Sequence, residues 1–161
     1  MAAEYSANAI QVVQPNASVI FTESPVPCNR GMIFHRDESG LFRLASPTVL
    51  GVRCCRRCCC CDYPEALYQV AFHANIAVPS EPAGTVEAIS LAIAVDGEID
   101  PSSTMLFTPA AVDEFGNVGA DIIVSVPCIC RCSSVSIRNT STQPINVQNA
   151  NLVFDFAGIR R

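Results

Sequence analysis

A chain of 161 residues suits one domain, and with half of them hydrophobic and only 16% charged it is too apolar to be a disordered segment. Its net charge of −5 and lack of a basic stripe exclude binding to nucleic acid, and because all ten basic residues are arginine, lysine-nucleophile and Schiff-base chemistry are excluded too. The opening MAAEYSANAIQVV lacks the basic region and apolar run of a secretory signal, and no stretch reaches membrane-span length, so folding in the cytosol without a membrane is expected. Ten cysteines are the main tension with that expectation.

In chain order, Ala9 to Val13 and Ser18 to Phe21 are short β-branched runs around the turn signal Pro15-Asn16. Glu23 to Arg30 carries Pro25 and Pro27 and reads as a loop or edge crossing. Gly31 to His35 and Leu41 to Ala45 form a predicted hairpin around Arg36 to Gly40. Ser46 to Glu65 holds six cysteines and suits no regular element.

The clearest signals follow. Tyr68, Val70, Phe72, Ala74, Ile76 and Val78 share one parity, and Gln69, His73 and Asn75 the other, which predicts a half-buried strand. Ile89, Leu91, Ile93 and Val95 alternate with smaller residues up to Asp96-Gly97, a dipeptide that tolerates positive φ and closes turns. Glu98 to Thr104 reads as a turn region, Met105 to Thr108 as a strand, and Pro109 to Gly119 as a loop with room for one helical turn. Ala120 to Val126, Ser134 to Arg138, Ile145 to Gln148 and Leu152 to Phe156 complete the strands. About nine or ten short strands with no convincing helix predict a single all-β domain over residues 1–161, a sandwich or barrel.

The stretches SGLFRLA (Ser39 to Ala45), LYQVAFHANIAV, ISLAIAVDGE (Ile89 to Glu98), ADIIVSVP (Ala120 to Pro127), SSVSIRNTS and ANLVFDFAGI resemble, in their order, the ten-stranded jelly rolls of the tumour-necrosis-factor and complement-head family. The resemblance implies an antiparallel two-sheet jelly roll that forms a homotrimer, with the first, third, sixth and last strands around a threefold axis. It implies an interface drawn from Tyr68, Val70, Ala71, Phe72, His73, Asn75, Ile122, Val124, Phe154 and Phe156. From the residues alone, the parity of Ala71, His73, Asn75 and Ala77 is small or amide-bearing and suits either close subunit approach or a solvated face. Further, IFHRDESGLFRLAS, FHANIAVP, SLAIAVDGE, MLFTPAAV and NTSTQPINVQNANLVF are similar to small structural proteins of tailed bacteriophages, of the head-fibre or capsid-decorating kind.

Cys128, Cys130 and Cys132 alternate with Ile129 and Arg131, so in extended backbone their thiols share a side. Their expected partners are Cys54, Cys55, Cys58, Cys59, Cys60 and Cys61, through disulfides, through a shared zinc, or not at all if the thiols stay free. Arg53, Arg56 and Arg57 would lower neighbouring thiol pKa values, but no βαβ context supports a redox enzyme. Cys28 is isolated and reads as a small buried hydrophobe. His35 and His73 lie on different strands without a matching nucleophile, DGEID lacks a full calcium loop, and Asn16 and Asn139 lie in N-x-S/T triplets.

The functional expectation is a non-enzymatic virion protein, a trimeric capsid decoration or head-fibre protein that stabilises or decorates the shell. Its partners would be its own copies and a major capsid or other virion protein, and residues 1–13 would be a docking arm. The alternatives are a trimeric module recognising a host surface or glycan, and the head of a spore or cell-surface layer protein. No cofactor is expected apart from the zinc alternative.

Overall fold

The alternation in the central stretch becomes the axis of the fold. In the computed structural model, which describes residues 2–28, 32–36, 38–46, 65–127 and 132–160, the strands are β1 (Ala2–Ala7), β2 (Gln11–Val13), β3 (Glu23–Val26), β4 (Ile33–His35), β5 (Phe42–Ala45) and β6 (Glu65–Ala77). They continue with β7 (Ile89–Val95), β8 (Glu98–Ile99), β9 (Met105–Phe107), β10 (Gly116–Pro127), β11 (Cys132–Asn139) and β12 (Ile145–Arg160). A single 3-10 turn, Pro101–Ser103, is capped by the Asp100 carboxylate, which accepts from the Ser102 amide at 2.9 Å.

The strands form two antiparallel six-stranded sheets. The first runs β10, β6, β12, β1, β3, with β2 also paired to β12; the second runs β4, β5, β11, β7, β8, with β9 also paired to β7. One parity of β6, from Ala66 through Ile76, is fully buried against the second sheet, which supplies Phe42, Leu44, Leu91, Ile93, Val135 and Ile137. Aromatic edges knit the layers together: Tyr5 meets Phe42 at 4.8 Å between ring centroids, Phe21 meets Phe42 at 5.3 Å, and Phe42 meets Phe154 at 5.1 Å. Each such side chain contributes about 1.5–3 kcal/mol by leaving water.

Local chemistry sets the joints. Asp96 and Gly97 both have positive φ, 51° and 88°, and close the hairpin in which Val95 pairs with Glu98. The two short strands expected at Ile145 to Gln148 and Leu152 to Phe156 are one strand, β12, interrupted by register shifts beside Asn149 and Gly158, which take positive φ. Buried Asn139 ties the sheets at one corner: its Nδ2 donates to the Val13 and Gln143 carbonyls, both at 2.9 Å, and its Oδ1 accepts from the Ser141 amide at 2.8 Å. A fully buried, saturated amide is no acceptor for a sugar, so that triplet is structural.

Three expectations are corrected. Residues 2–7 and 11–13 do not form a free arm: β1 is paired on both sides, to β12 and β3, and Ala3, Tyr5, Ala7 and Val13 belong to the core. The amide-rich composition hid an alternation in which Ala3, Tyr5 and Ala7 point inward. Glu23–Val26 is a strand despite its prolines, because at the sheet edge a missing N–H costs nothing. Ser18 to Phe21 forms isolated bridges, Ser18 to Arg138 and Phe21 to Ser39, in place of a strand.

Candidate functional site

The outward face of the first sheet is built by register. His73 lies between Gly119 and Asn151, with Ser6 beyond; Ala71 lies between Asp121 and Val153, with Glu4 beyond; Gln69 lies between Ile123 and Asp155, with Ala2 beyond. Paired residues share a face, so these rows form one surface four strands wide. Its floor is shallow at Ala71 and Gly119, where a Cβ would stand 2.5 Å from the His73 Nδ1, so glycine lets the imidazole lie along β10. Ile123 is 60% exposed on it.

Its acids have donors within the face. Gln69 Nε2 donates to Asp121 at 3.3 Å, Asn151 Nδ2 donates to Glu4, and Asn8 Nδ2 donates to Glu23 at 3.2 Å beside β1. Asn117 Nδ2 likewise donates to Asn75 Oδ1 at 3.1 Å. Carboxylates already supplied with protein donors need less from water, which lowers the cost of covering the face.

The expected interface residues divide by parity. Ala71, His73 and Asn75 point outward, His73 exposed and the other two partly so. Tyr68, Val70, Phe72, Val124 and Phe154 point into the sandwich and are buried within one chain, which corrects their assignment to a subunit contact. Ile122 and Phe156 are partly buried and pack on the core, Phe156 edge-on to Tyr68 at 5.6 Å. Sequence reasoning missed Ile123, Gly119, Asp121, Val153 and Glu4; the parity of β10 and β12 would have found them, had outward positions been sought there as on β6.

Cys54, Cys55, Cys58, Cys59, Cys60, Cys61, Cys128 and Cys130 lie outside the described residues. Their flanks do not. Ala45 is the register partner of Cys132 and Glu65 that of Pro127, so both ends of segment 47–64 stand beside both ends of segment 128–131. Cys132 has an exposed free thiol, and Cys28 packs on the core. Tyr5 stands next to Cys28, and burial first, then the thiol's charge, pushes its phenol pKa up.

At the same end, Glu65 is held below the usual carboxylate range by the Ser125 hydroxyl and by the Arg160 guanidinium, with which it forms an ion pair. The acids of the DGEID stretch and of Pro109 to Gly119 serve turns: Asp96 accepts from the Ser134 amide at 2.7 Å and Glu114 from the Ala110 amide at 2.6 Å. No cluster of three or more metal-ligating side chains occurs among the described residues, and no helix there is long and apolar enough to cross a membrane.

No protein-family model and no curated protein matches the chain. Among solved structures, Eiger TNF from S. frugiperda aligns over 100% of this chain and 95% of its own at a TM-score of 0.62 and 10% identity. The chain therefore has the TNF-like jelly-roll fold. The PRD1 vertex protein (TM-score 0.41, 12% identity, 98% of this chain and 96% of its own) and a family 35 carbohydrate binding module from Clostridium thermocellum (0.38, 13%, 94% and 97%) also align. At those scores, what they bind or build does not bear on this chain.

Proposed function

We propose that this chain is a non-enzymatic structural protein, a trimeric capsid decoration or head-fibre protein of a tailed bacteriophage. The observation that carries the assembly half is the outward face of β10, β6, β12 and β1: shallow, amide-rich, with carboxylates already supplied with donors and Ile123 exposed at its rim. Three copies packed through it around a threefold axis would bury that face, and a stable contact needs roughly 1,600 Å² per pair. The virion half rests on the resemblance of the five stretches quoted above to phage structural proteins. The mechanism is geometric: the trimer is a rigid head that attaches through surfaces other than the axial one.

In the same proposal, Cys54, Cys55 and Cys58 to Cys61 are tied to Cys128 and Cys130 by disulfides, with zinc as the other chemistry. The adjacency of the flanking residues, Ala45 with Cys132 and Glu65 with Pro127, supports this. Thiol counting by alkylation and denatured mass, beside native mass with and without chelator, separates the two.

Native mass spectrometry of untreated protein tests the trimer, with Ala71→Arg as the break. Asp121 and Glu4 flank Ala71 in register and through Val153, so a lone chain accommodates the arginine while a second chain cannot approach over it. A wild-type trimer that becomes a folded monomer in the variant is expected. A wild-type monomer sinks the assembly reading, and failure of the wild-type trimer to cosediment with phage heads lacking it sinks the virion reading.

A further inference from the structure

The second sheet carries a different kind of surface at its β4 edge. Phe34, His35, Arg36, Ser39, Leu41 and Arg43 line an open concavity of about 520 Å³. Phe34 and Arg43 are cross-strand partners, so they project together, away from the buried Ile33, Phe42 and Leu44. Phe34 is 51% and Leu41 46% exposed, giving the concavity an apolar flank. Its base is held in place: His35 Nε2 donates to the Ser39 carbonyl at 3.0 Å, and the ring stacks on Phe42 with centroids 4.3 Å apart.

The charges here are singular. Of the four arginines among the described residues, Arg160 pairs with Glu65 and Arg138 donates to the Gly97 carbonyl at 3.3 Å. Arg36 and Arg43 have no acceptor among the described residues, and both line this one concavity. In a chain of net charge −5, two uncompensated guanidinium groups beside exposed phenyl and isobutyl groups form the composition that binding hot spots favour. A guanidinium takes a carboxylate through two parallel hydrogen bonds, which fixes orientation as well as charge. The neighbouring strand β4 is paired on one side only, to β5, leaving backbone groups for an extended chain to meet.

We propose that this concavity docks an acidic, extended peptide segment of a partner protein. Alternate carboxylate side chains would pair with Arg36 and Arg43, and an apolar side chain between them would rest on Phe34 and Leu41. The site lies on the sheet opposite the proposed threefold face, so it stands or falls independently of the trimer.

Fluorescence anisotropy with a labelled hexapeptide alternating glutamate and leucine tests it, against the same peptide with glutamine in place of glutamate. Saturable binding to the full chain is expected, weakened about tenfold or more by the glutamine peptide and by the double variant Arg36→Gln/Arg43→Gln, and falling as salt is raised. Both arginines are exposed, so the variant should unfold at the wild-type temperature, and Arg43→Lys, which keeps charge but loses the fork, should fall between the two. Absence of binding, or equal binding by the double variant, overturns the proposal. Oligogalacturonate that outcompetes the peptide at equal charge reassigns the site to acidic sugars and overturns it. So does self-association of the wild type that the double variant abolishes, which would give the site to a second copy.

Discussion

The outward faces of the two sheets share a small-residue composition and end in opposite states. On the second sheet Ala92, Ala94 and Ser136 point away from the core, yet all are buried. Arg138, the register partner of Ala92, reaches from that row to the Gly97 carbonyl, so its stem lies across Ala94 and Ser136. On the first sheet the corresponding small residues, Ala71 and Gly119, have no long side chain laid over them, and His73, Gln69 and Ile123 stand exposed around them. Small residues on a sheet face therefore do not by themselves mark an interface. What marks it is whether the chain brings its own cover.

The sharpest way to break this comparison is the same substitution on both faces. Ala94→Arg forces a charge under the Arg138 stem and should cost roughly 3 kcal/mol in urea unfolding, whereas Ala71→Arg, measured at low chain concentration, should change folding stability by only about 0.5 kcal/mol. Equal costs would mean the two faces are equally covered. A smaller effect sharpens what the cover is made of. The Arg138 Nε is buried without a partner, so packing of the stem outweighs its hydrogen bonding. Arg138→Ala should lose about 1 kcal/mol and Arg138→Met should recover most of it, read as the urea midpoint.

The smallest effect is electrostatic and sits at the Glu65 end of the first sheet. Because the folded pKa of Glu65 is depressed, its contribution is present above the unfolded carboxylate pKa and is lost as pH falls through the folded value. Glu65→Gln should therefore flatten the acid limb of the stability profile slightly and leave neutral pH nearly unchanged, as followed by urea midpoints across that range.

The strict alternation of β6 and the Asp96-Gly97 turn were readable because burial on one face and a positive-φ requirement each leave a mark on residue type. The all-β class followed from them, and the order of motifs pointed to the jelly roll that the structure has. β1 was not readable as a strand, since Ala3 and Ala7 are too small to register as a core stripe and only Tyr5 signals it. The continuity of β12 was hidden by its bulges, which shift parity midway at Asn149. In the candidate site, Ala71, His73 and Asn75 were legible by parity, while the large apolar residues drawn in with them were credited to a subunit contact and serve the chain's own core. Arg36 and Arg43 were invisible as a pair, because nothing local in sequence shows that two arginines flanking a turn lack acceptors.

The position of β12 between β6 and β1 also sets a timetable. Ala2 to Ala7 meets its partners at Ala150 to Asp155, so during synthesis the first strand waits for nearly the whole described chain to be made. At about 5–20 residues per second that is several seconds in which β1 and one side of β6 have open hydrogen-bonding edges. Residues 145–160 thus act as a closing stitch. A ribosome that pauses before them holds two sticky strands apart, and a host cell making many copies at once depends on that stitch arriving before neighbouring nascent chains find each other.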